Sequence, residues 1–517
     1  MIAHFPPPSL SAFYRILVLK NYRFPLSHQV YSAQQVRALD RLAIAEDGMT
    51  GFALMTKAGQ FMFDSIRQSC PDAKSMLIFC GVGNNAGDGY IIARLAMVEN
   101  IAVNVIQLGD HCLQQDALTA QQQYIAAGGV VTCFDVTKTV DYQADIVVDA
   151  LLGTGITRDV VGVWAQAVDV INNSNAYIAA VDIPSGLNAD TGTVMGCAVV
   201  ADETVTFIAR KQGLYTGKAR DVVGKLSFAD LGVRDALKKQ LNTHEDQKDI
   251  FLLSQHIPHL PPRSRSSHKG SHGHVLLVGG ASGMSGAIKM AAEAALTVGV
   301  GLVTVITHPE HAAWLNITRP ELMVKGVDSA KQLTPYLQRA DVVAIGPGLG
   351  TSAWGQALFY ACLATLHDKI IDADALNLLA KLSIKKDNWI LTPHAGEAAR
   401  LLGVSVKMIE SDRFKAVSQL QANFSGLCVL KGAGSLLAEQ HKIAILTLGN
   451  PGMAVAGMGD VLTGVIAGLR AQGASLKTSL RLGVTLHATA ADRAVAEKGE
   501  RGLFATDLYP YLRELVN

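Results

Sequence analysis

The stretch GNPGMAVAGMGDVLTG, residues 449–464, decides the fold class of the half of the chain that contains it. It follows the apolar run KIAILTL and passes into VLTGVIAGLR, so a strand, a glycine-rich turn and a helix succeed one another. Glycine lets a backbone approach a ligand closely, and the start of a helix attracts anions. The stretch therefore predicts a phosphate site, with Asp460 as the carboxylate beside it.

The same order of strand and helix recurs on both sides of this stretch. In the same half, strand-like runs are HVLLVGG, GLVTVITH, ADVVAIGPGLG, KIIDADAL, WILTPHAGE and CVLKGAGSLLA. In the first half they are MLIFCG, VNVIQLG, ADIVVDALLG and AYIAAVDIPSG. Continuous apolar strands that alternate with helical segments indicate a parallel sheet with helices on both faces. We therefore predict two α/β domains.

A polar, proline-rich segment separates the two halves. It includes DALKKQLNTHEDQKDIF and IPHLPPRSRSSHKG, whose charge and proline content are typical of a linker. The chain has 517 residues, too many for one ordinary core. We predict a loose N-terminal arm at residues 1–28, a first domain at 29–245 and a second domain at 246–517.

Composition argues against several classes of partner. Charged residues make up 17% of the chain, the formal net charge is +1 and no Lys/Arg cluster is present, so nucleic acid is not expected as a partner. No uncharged apolar run is long enough to span a membrane. The seven cysteines are scattered without a C-x-x-C pair, and the first residues lack the layout of a signal peptide. We expect a cytoplasmic protein with small-molecule partners.

In the first domain, the run GVGNNAGDG lies between a strand and a helix. Gly81, Gly83 and Ala86 satisfy the pattern of dinucleotide-binding turns, which is a weak signal by itself. The side-chain oxygens of the intervening asparagines and of Asp88 indicate a turn that holds polar atoms as well as approaching phosphate.

Two later strands of this domain end in carboxylates. DALLGTG begins at Asp149, and VDIPSGLNADTG contains Asp182 and Ser185. Ligand sites of parallel sheets gather at the carboxyl ends of the strands, so these side chains and Asn85 are predicted to share one crevice. Hard oxygen ligands of this kind suit a hard cation and a hydroxyl-rich substrate. The alternative is that they are ordinary turn and cap residues.

These three motifs together resemble the NAD(P)H-hydrate epimerases, which have a Rossmann-like fold and interconvert the R and S hydrates of damaged nicotinamide cofactors. The resemblance implies that Asp182 contacts the substrate and is the acid/base candidate. It also implies a potassium ion held by Asn85, Asp149 and Ser185. The implied contacts with the hydrated cofactor are Asn84, Asn85, Ala86, Gly87 and Asp88, together with Gly153, Thr154, Gly155, Ile156, Thr157, Arg158 and Asp159. Ala86 stands where the family usually has Gly, which requires a negative φ there.

Further loops of the second domain carry chemistry-bearing residues. HGHVLLVGGASGMSGAIK reads as a strand, a glycine-rich turn and a helix that starts near Ala287, and AIGPGLGT is another such turn. TPHAGEAARLLG contributes His394 and Glu397, and VLKGAGS contributes Lys431. The alternative is that these loops are structural turns and that His394 is a structural histidine. A metal site at the histidines of HKGSHGH is a weaker alternative, because H-E-x-x-H spacing and cysteine partners are missing.

The start of the helix after GMGD favours phosphoryl transfer over a plain turn. Its backbone N–H groups can stabilise charge on a transferring phosphoryl group, and Lys431 can neutralise phosphate. We expect the helix dipole to keep Asp460 ionised, so that it accepts a proton from a substrate hydroxyl.

The set HKGSHGHVLLVGG, GPGLGT, LTPHAGEAARLLG, LKGAG and NPGMAVAGMGDVLTG resembles the ADP/ATP-dependent NAD(P)H-hydrate dehydratases, which have a ribokinase-like fold. Ala395 and Ala456 depart from the family pattern without removing a functional group. The resemblance implies that Asp460 deprotonates the substrate hydroxyl, which then attacks the terminal phosphate of ADP or ATP bound with Mg²⁺. The implied nucleotide contacts are Lys431, Gly432, Ala433, Gly434, Ser435 and Gly459. The implied contacts with the hydrated nicotinamide are Ala287, Gly348, His394 and Asp460.

Three functions are compatible with these motifs. The first is a bifunctional repair enzyme whose epimerase domain supplies the S hydrate to its dehydratase domain, and the resemblance also implies a homo-oligomer. The second is a small-molecule kinase with a regulatory first domain, which leaves the motifs of that domain unexplained. The third is a non-enzymatic scaffold, against which the retained carboxylates Asp182 and Asp460 argue.

Overall fold

In the computed structural model, the described residues are 24–46, 48–109, 112–135, 144–233, 249–257 and 260–517. The chain divides into two compact units, one of Gln29–Ile250 and one that joins Phe251–Asn517 to the residues before Gln29. The predicted domain boundary at residue 245 and most of the predicted arm at 1–28 lie outside the described residues.

The N-terminal unit is built on a parallel sheet whose order is β4-β3-β2-β5-β6-β7-β8. The strands are β2 Ser75–Cys80, β3 Ala102–Gln107, β4 Val131–Cys133, β5 Ile146–Ala150, β6 Tyr177–Val181, β7 Glu203–Phe207 and β8 Lys225–Ala229. The helices are α1 Ala33–Glu46, α2 Gly51–Ser69, α3 Asn84–Val98, α4 Gln115–Ala126, α5 Val163–Asn172 and α6 Ala219–Val222. The order reverses between β2 and β5, as in a Rossmann-like sheet, which confirms the predicted class.

Burial explains why these strands form where the sequence predicts them. All five residues of β5, including Asp149, are buried, and five of the six residues of β2 are buried. Strands covered by helices on both faces can keep polar side chains only near their ends. Polar groups therefore concentrate at the carboxyl ends of β2, β5 and β6.

The C-terminal unit repeats this design. Its described sheet has the order β1-β9-β18-β17-β16-β15-β14-β13-β10-β11-β12, in which β10 to β16 pair in parallel while β17 is antiparallel to β16 and β18. Its strands are β1 Leu26–Val30, β9 Asp249–Leu253, β10 His274–Val278, β11 Leu302–Thr307, β12 Met323–Gly326, β13 Val342–Ile345, β14 Asp368–Ile371, β15 Trp389–Leu391, β16 Leu427–Leu430, β17 Ser435–Ala438 and β18 Lys442–Leu446.

The helices of this unit cover the sheet and include the one that starts in GMGD. They are α7 Ser285–Thr297, α8 Thr334–Leu337, α9 Ala353–Leu363, α10 Ala373–Leu379, α11 Ala395–Leu402, α12 Val406–Ser411, α13 Arg413–Phe424, α14 Met458–Ala471, α15 Leu476–Lys498 and α16 Leu508–Leu515. Among the described residues, no helix is long and apolar enough to cross a membrane.

Close packing of α7 against α14 fixes the helix that carries Asp460. A Cβ atom at Gly464 would lie only 2.0 Å from the carbonyl oxygen of Ala291, so any larger residue would push the two helices apart. Both helices belong to the apolar core of the unit, together with Ala294 and Val465. The start of α14 is therefore held rigidly against the sheet.

The described end of the predicted arm is ordered, which differs from the expected loose arm. Phe24 is buried in the core of the C-terminal unit, and its carbonyl oxygen accepts a hydrogen bond of 3.0 Å from Nη1 of Arg481. The hydroxyl of Ser27 donates to the carbonyl oxygen of Leu252 at 3.1 Å. Arg481 is itself buried and its Nε lies 2.5 Å from Oε1 of Glu439.

We expect Arg481→Ala to lower the free energy of unfolding of the C-terminal unit by about 3 kcal/mol, because it removes the buried partner of a buried carboxylate. Lys477→Ala is the matched control, since Lys477 pairs with the same Glu439 but is half-exposed. The control should cost less than about 1 kcal/mol. Chemical denaturation of both variants measures the difference, and equal losses would contradict this account of the ion pair.

Candidate functional site

A cavity of about 610 Å³ opens in the N-terminal unit where the strand order reverses. Residues after β2, including Gly83 and Asn85, form one side of it, and Leu151 to Gly155, after β5, form another. Ligands of doubly wound sheets bind at this place, outside the carboxyl ends of the strands. The structure therefore brings Asn85 and Asp182 to one cavity, whereas Asp149 and Ser185 are fully buried and do not line it.

The predicted ion-binding residues lie next to one another. Asp149 is fully buried, and its Oδ1 accepts a hydrogen bond of 2.6 Å from the hydroxyl of Ser185. Its Oδ2 accepts from the backbone N–H of Ser185 at 2.7 Å. Burial is the main reason that the pKa of Asp149 rises to about 6, and the hydrogen bonds from Ser185 and Leu151 oppose it. No cation of the described residues pairs with this carboxylate.

Asn85 completes this group. It is buried in the first turn of α3, and among the described residues its side-chain Nδ2 has no hydrogen-bond partner. Its amide also approaches the turn after β5, because a Cβ atom on Gly153 would lie 3.6 to 3.9 Å from its side-chain atoms. A buried, unsatisfied amide and a buried carboxylate without a cation are each costly unless a ligand satisfies them, and both lie next to the turn after β5.

Asp182, at the carboxyl end of β6, lines the same cavity. Its φ of +66° places it in the left-handed region, a strained conformation that is enriched at functional sites. Oδ1 accepts hydrogen bonds from Nζ of Lys211 and from the backbone N–H of Phe207 at 3.1 Å. Lys211 is 1% exposed and was not among the residues that the sequence singled out.

Only some of the other residues that were predicted to contact the substrate line the cavity. Asn84, Asp88, Gly153, Thr154 and Gly155 line it. Ala86 is fully buried within α3, where its helical φ is negative, so its methyl group is tolerated. The predicted contacts that are outside the cavity lining are Ala86, Gly87, Ile156, Thr157, Arg158 and Asp159.

In the C-terminal unit, the helix that follows the glycine-rich stretch begins at Met458, directly after Gly457. Gly457 has a φ of +91°, and a Cβ atom there would lie 2.6 Å from the side chain of Met290. No side chain caps this helix start, so its first backbone N–H groups are available to an anion. Asp460 lies in the first turn, as the sequence predicts.

Lys431 lies among carboxylates at this helix start. Its Nζ is 3.0 Å from Oδ1 of Asp372 and 3.8 Å from Oε2 of Glu397. A Cβ atom on Gly459 would lie 3.1 Å from the same Nζ, so the amine is adjacent to the turn of GMGD. Burial lowers the pKa of Lys431, but Asp372 and Glu397 outweigh burial and raise it above the usual value.

Asp372 connects these elements. It follows β14, is 1% exposed, and accepts hydrogen bonds from the hydroxyls of Thr392 at 2.7 Å and Thr463 at 2.8 Å. Thr463 lies on α14, one turn after Asp460. Asp372 and Thr463 were not among the residues predicted from the sequence, although the carboxylate at the end of the apolar run KIID is the same signal that identified Asp149.

The expectation that the helix start keeps Asp460 ionised is wrong. Burial, followed by the negative charge of Asp372, raises its pKa to about 7, and Lys431 opposes the shift only in part. At neutral pH, Asp460 is therefore a mixture of acid and carboxylate. A pKa close to neutral pH is the range in which a carboxylate works well as a general base.

His394 has a structural role that the sequence did not reveal. It caps α11. Its ring Nδ1 accepts a hydrogen bond of 2.9 Å from the backbone N–H of Gly396, and the backbone N–H of His394 donates to Oε2 of Glu397 at 2.8 Å. Its side chain is about half-exposed, and Nε2 lies 3.5 Å from Oε1 of Glu397. The ring is thus held in place beside Lys431 and can still contact a ligand.

Ala287 lies in the first turn of α7, and the loop before that helix is adjacent to the turn that carries Gly348, because β10 and β13 are neighbours in the sheet. The N–H of Ala281 donates to the carbonyl oxygen of Gly348 at 2.6 Å. Gly432 to Ser435 form a tight turn in which the hydroxyl of Ser435 donates to the carbonyl oxygen of Gly432 at 3.0 Å. The predicted residues of this domain therefore follow β10, β13, β15 and β16 along one edge of the sheet.

The histidines of HKGSHGH are engaged in other contacts. His272 Nε2 lies 3.1 Å from the hydroxyl of Ser267, and His274 Nε2 lies 2.8 Å from the hydroxyl of Thr304. Within the described ranges, no group of three or more His, Cys, Asp or Glu residues is arranged to hold a metal ion.

We expect Lys431→Met to destabilise the C-terminal unit by about 3 kcal/mol at pH 8, because two buried carboxylates lose their cation. The loss should be smaller at pH 5, because burial raises the pKa of Glu397 and its protonation removes part of the uncompensated charge. Lys407→Met, at an exposed position, is the control. Denaturation midpoints at both pH values measure the effect, and a loss that is independent of pH would contradict it.

Comparison with known proteins finds a match for each of the two domains. A family model described as NAD(P)H-hydrate dehydratase matches residues 275–514. A second model, described as YjeF-related protein N-terminus, matches residues 51–213. The two matches cover the two groups of motifs separately.

Characterised relatives match nearly the whole chain. A bifunctional NAD(P)H-hydrate repair enzyme Nnr from Coxiella burnetii is 45% identical over 94% of this chain and 99% of its own length. The enzyme with the same description from Escherichia coli is 43% identical over 96% of each chain. Among solved structures, the ADP/ATP-dependent NAD(P)H-hydrate dehydratase from Bacillus subtilis, co-crystallised with ATP/Mg²⁺, is 30% identical over 50% of this chain and 93% of its own, with a TM-score of 0.46.

Proposed function

The chain belongs to the family of bifunctional NAD(P)H-hydrate repair enzymes, and from that premise we propose which of its residues carry the two reactions. The protein is an NAD(P)H-hydrate epimerase and an ADP/ATP-dependent NAD(P)H-hydrate dehydratase. The epimerase interconverts the R and S hydrates, and the dehydratase returns the S hydrate to the intact cofactor. A small-molecule kinase with a regulatory first domain does not account for relatives that match both domains.

We assign the dehydratase reaction to the start of α14. The observation that carries this assignment is that Asp460, with a pKa of about 7, lies in an uncapped first helical turn beside the Lys431 amine. Asp460 takes the proton of the substrate hydroxyl, and the hydroxyl oxygen then attacks the terminal phosphorus of ADP or ATP. The bond from that phosphorus to the bridging oxygen breaks, so that AMP or ADP leaves. The phosphorylated oxygen then departs with its bonding electrons as inorganic phosphate, and the adjacent ring carbon loses a proton to water, which restores the ring double bond.

The other residues of this site bind and orient. The turn Lys431 to Ser435 and Gly459 contact the nucleotide, and the uncapped N–H groups of α14 stabilise phosphate charge. Ala287, Gly348 and His394 contact the hydrated nicotinamide.

Asp372 and Glu397 fit a Mg²⁺ ion that accompanies the nucleotide. Mg²⁺ is usually bound by one or two carboxylates together with phosphate oxygens and water, so two carboxylates beside a phosphate site are sufficient. Both side chains are buried next to Lys431, and the ion would supply further neutralisation of phosphate charge.

The assignment predicts that Asp460→Asn abolishes dehydration, with a loss of kcat of at least about 100-fold, because the general base is removed. Recovery of the dihydropyridine absorbance from S-hydrate and ADP or ATP measures the reaction. Asp328→Asn, at an exposed position, is the control and should retain full activity. An Asp460→Asn enzyme that keeps its activity would refute the assignment.

The pH profile provides a second prediction. Asp460 must be deprotonated to accept a proton, and its pKa is raised to about 7. The kcat of dehydration should therefore rise by about tenfold between pH 6 and pH 8, with its midpoint close to pH 7. A kcat that is constant over this range would contradict a base with that pKa.

We assign the epimerase reaction to the cavity beside Asp182, with the hydrated ring contacted by Asn84, Asn85 and Asp88 and by Gly153 to Gly155. Asn85, Asp149 and Ser185 fit a potassium ion, since Asp149 is a buried carboxylate without a cation among the described residues. A half-turn of the Asn85 amide would present its oxygen and relieve its unsatisfied N–H group. The ion would neutralise Asp149 and fix the turns on either side of the cavity.

This assignment predicts that K⁺ raises the melting temperature of the N-terminal unit, because a ligand that binds only the folded state stabilises that state by mass action. At a K⁺ concentration of 100 times the Kd, the free energy of unfolding should rise by about 3 kcal/mol. Asp149→Asn should remove the dependence on K⁺. Calorimetry in KCl and in a chloride salt of a large organic cation at equal ionic strength measures it. An equal response of the variant and the unaltered protein would exclude Asp149 as a ligand.

We further propose the predicted domain boundary near residue 245, a homo-oligomeric assembly and a cytoplasmic location. The two family-model matches support the boundary, because one ends at residue 213 and the other begins at residue 275.

A further inference from the structure

The epimerase cavity is lined by more charged side chains than the assigned chemistry uses. Aspartates outnumber cations among them, and they come from helices as well as from strand ends. The charged residues that line the cavity are Arg37, Asp40, Asp88, Asp116, Asp182 and Lys211.

Asp182 is the ion-paired member of this set. Its Oδ1 accepts hydrogen bonds from Lys211, from the hydroxyl of Thr206 at 3.2 Å and from the N–H of Phe207 at 3.1 Å. Its Oδ2 has no hydrogen-bond partner among the described residues, and the side chain is 19% exposed. One oxygen is therefore fixed by the protein, and the other is available to a ligand in the cavity.

The ammonium group of Lys211 has no N–H group left to bind a substrate. Besides Asp182, its Nζ donates to the hydroxyl of Thr206 at 3.0 Å and to the carbonyl oxygen of Phe207 at 2.9 Å. The three N–H bonds of the ammonium group are thus matched by three acceptors, and the side chain is 1% exposed. Its role is to hold Asp182 in position and to balance its charge.

Asp88 differs from Asp182 in that, among the described residues, no cation pairs with its carboxyl group. Within the described chain its carboxyl group makes no hydrogen bond or ion pair, although it lines the same cavity from α3. Burial raises its pKa well above the usual value, and the charges of Asp182 and Asp40 add to the shift while Lys211 opposes it. Burial and Asp182 also raise the pKa of Asp40, which lies on α1.

Asp88 and Asp182 reach the cavity from different elements. Asp88 belongs to the helix that follows β2, and Asp182 follows β6, while β5 lies between these strands. Both line the same cavity, and after burial the charge of Asp182 is the largest cause of the raised pKa of Asp88. Paired carboxyl groups with different partners, one paired with a cation and one without, are the arrangement from which acid and base roles follow.

We propose that Asp88 and Asp182 are the acid and the base of the epimerisation, with Lys211 as the positioning residue of Asp182. The proposal rests on the assignment of the epimerase reaction to this cavity.

In the epimerisation, protons pass only between the substrate, a water molecule and the carboxyl groups of Asp88 and Asp182. The carboxyl proton of Asp88 passes to the hydroxyl oxygen of the hydrated ring, and the C–O bond breaks with its electrons leaving on water. The lone pair of the adjacent ring nitrogen forms a C=N bond to the same carbon. Water then adds to the opposite face, its proton passes to Oδ2 of Asp182, and the C=N electrons return to nitrogen. The reverse direction uses Asp182 as the acid and Asp88 as the base, and restores the starting protonation.

The test measures loss of the R hydrate in the full-length protein, with dehydration of the S hydrate as an internal control for folding. We expect Asp88→Asn and Asp182→Asn each to lower the epimerase kcat by at least about 100-fold while dehydration is unchanged. Asp40→Asn, at the other carboxyl group of the cavity whose pKa is raised, should cost less than about tenfold. Asp88→Asn should also remove the alkaline limb of the pH profile, because burial, followed by the charge of Asp182, raises the pKa of Asp88.

Lys211 is tested by a readout that a purely structural role would not move. Lys211→Met should lower the epimerase kcat more than it raises KM, because Asp182 loses the cation that holds it in position. Lys211→Arg should restore part of kcat. Parallel loss of epimerase and dehydratase activity, without rescue by Lys211→Arg, would overturn the positioning role.

Two results would overturn the proposal in distinguishable ways. If Asp182→Asn is inactive but Asp88→Asn is active, or if Asp40→Asn loses as much as Asp88→Asn, the acid is not Asp88. If Asp182→Asn itself keeps full epimerase activity, the assignment of the reaction to this cavity fails.

Discussion

A lysine that pairs with an aspartate at the carboxyl end of a parallel strand organises each of the two sites. Lys211 binds Asp182 after β6, and Lys431 binds Asp372 after β14. Both aspartates also accept hydrogen bonds from threonine hydroxyls, so their positions are fixed before any substrate arrives. In a buried environment such a pair is costly to break, because either partner alone would be an uncompensated charge. Burial, followed by the charge of that aspartate, raises the pKa of the remaining ionisable groups of the two sites, Asp88 and Asp460.

The fold explains why such pairs arise where they do. Strands that helices cover on both faces hold apolar side chains along their length, and polar groups are displaced to the ends. In both units the strand order reverses next to the first strand of the parallel core, which opens a crevice at the carboxyl ends. The N-terminal unit uses the crevice between β2 and β5, and the C-terminal unit uses the corresponding edge along β10, β13, β14, β15 and β16. Two different reactions thus rely on the same placement of charge.

Local sequence signals revealed those parts of the sites that depend on one continuous segment. Apolar runs and glycine-rich turns predicted both parallel sheets, and the helix start at GMGD placed Asp460. Asp149 and Ser185 were grouped because both follow apolar strands. Lys211 and Asp372 were missed because their importance comes from partners 29 and 59 residues away in the sequence, which periodicity does not indicate. The expected ionised state of Asp460 was wrong for a related reason, since burial and the neighbouring Asp372 are properties of the folded chain.

The central claim is that two independent acid–base sites in one chain act in sequence on one damaged cofactor. Mixing two inactive variants, Asp182→Asn and Asp460→Asn, tests it most directly, because each variant retains the site that the other lacks. Given the R hydrate with ADP or ATP, each variant alone should yield almost no dihydropyridine, whereas the mixture should convert all of it through the released S hydrate. A mixture that converts no more R hydrate than the separate variants would contradict the account.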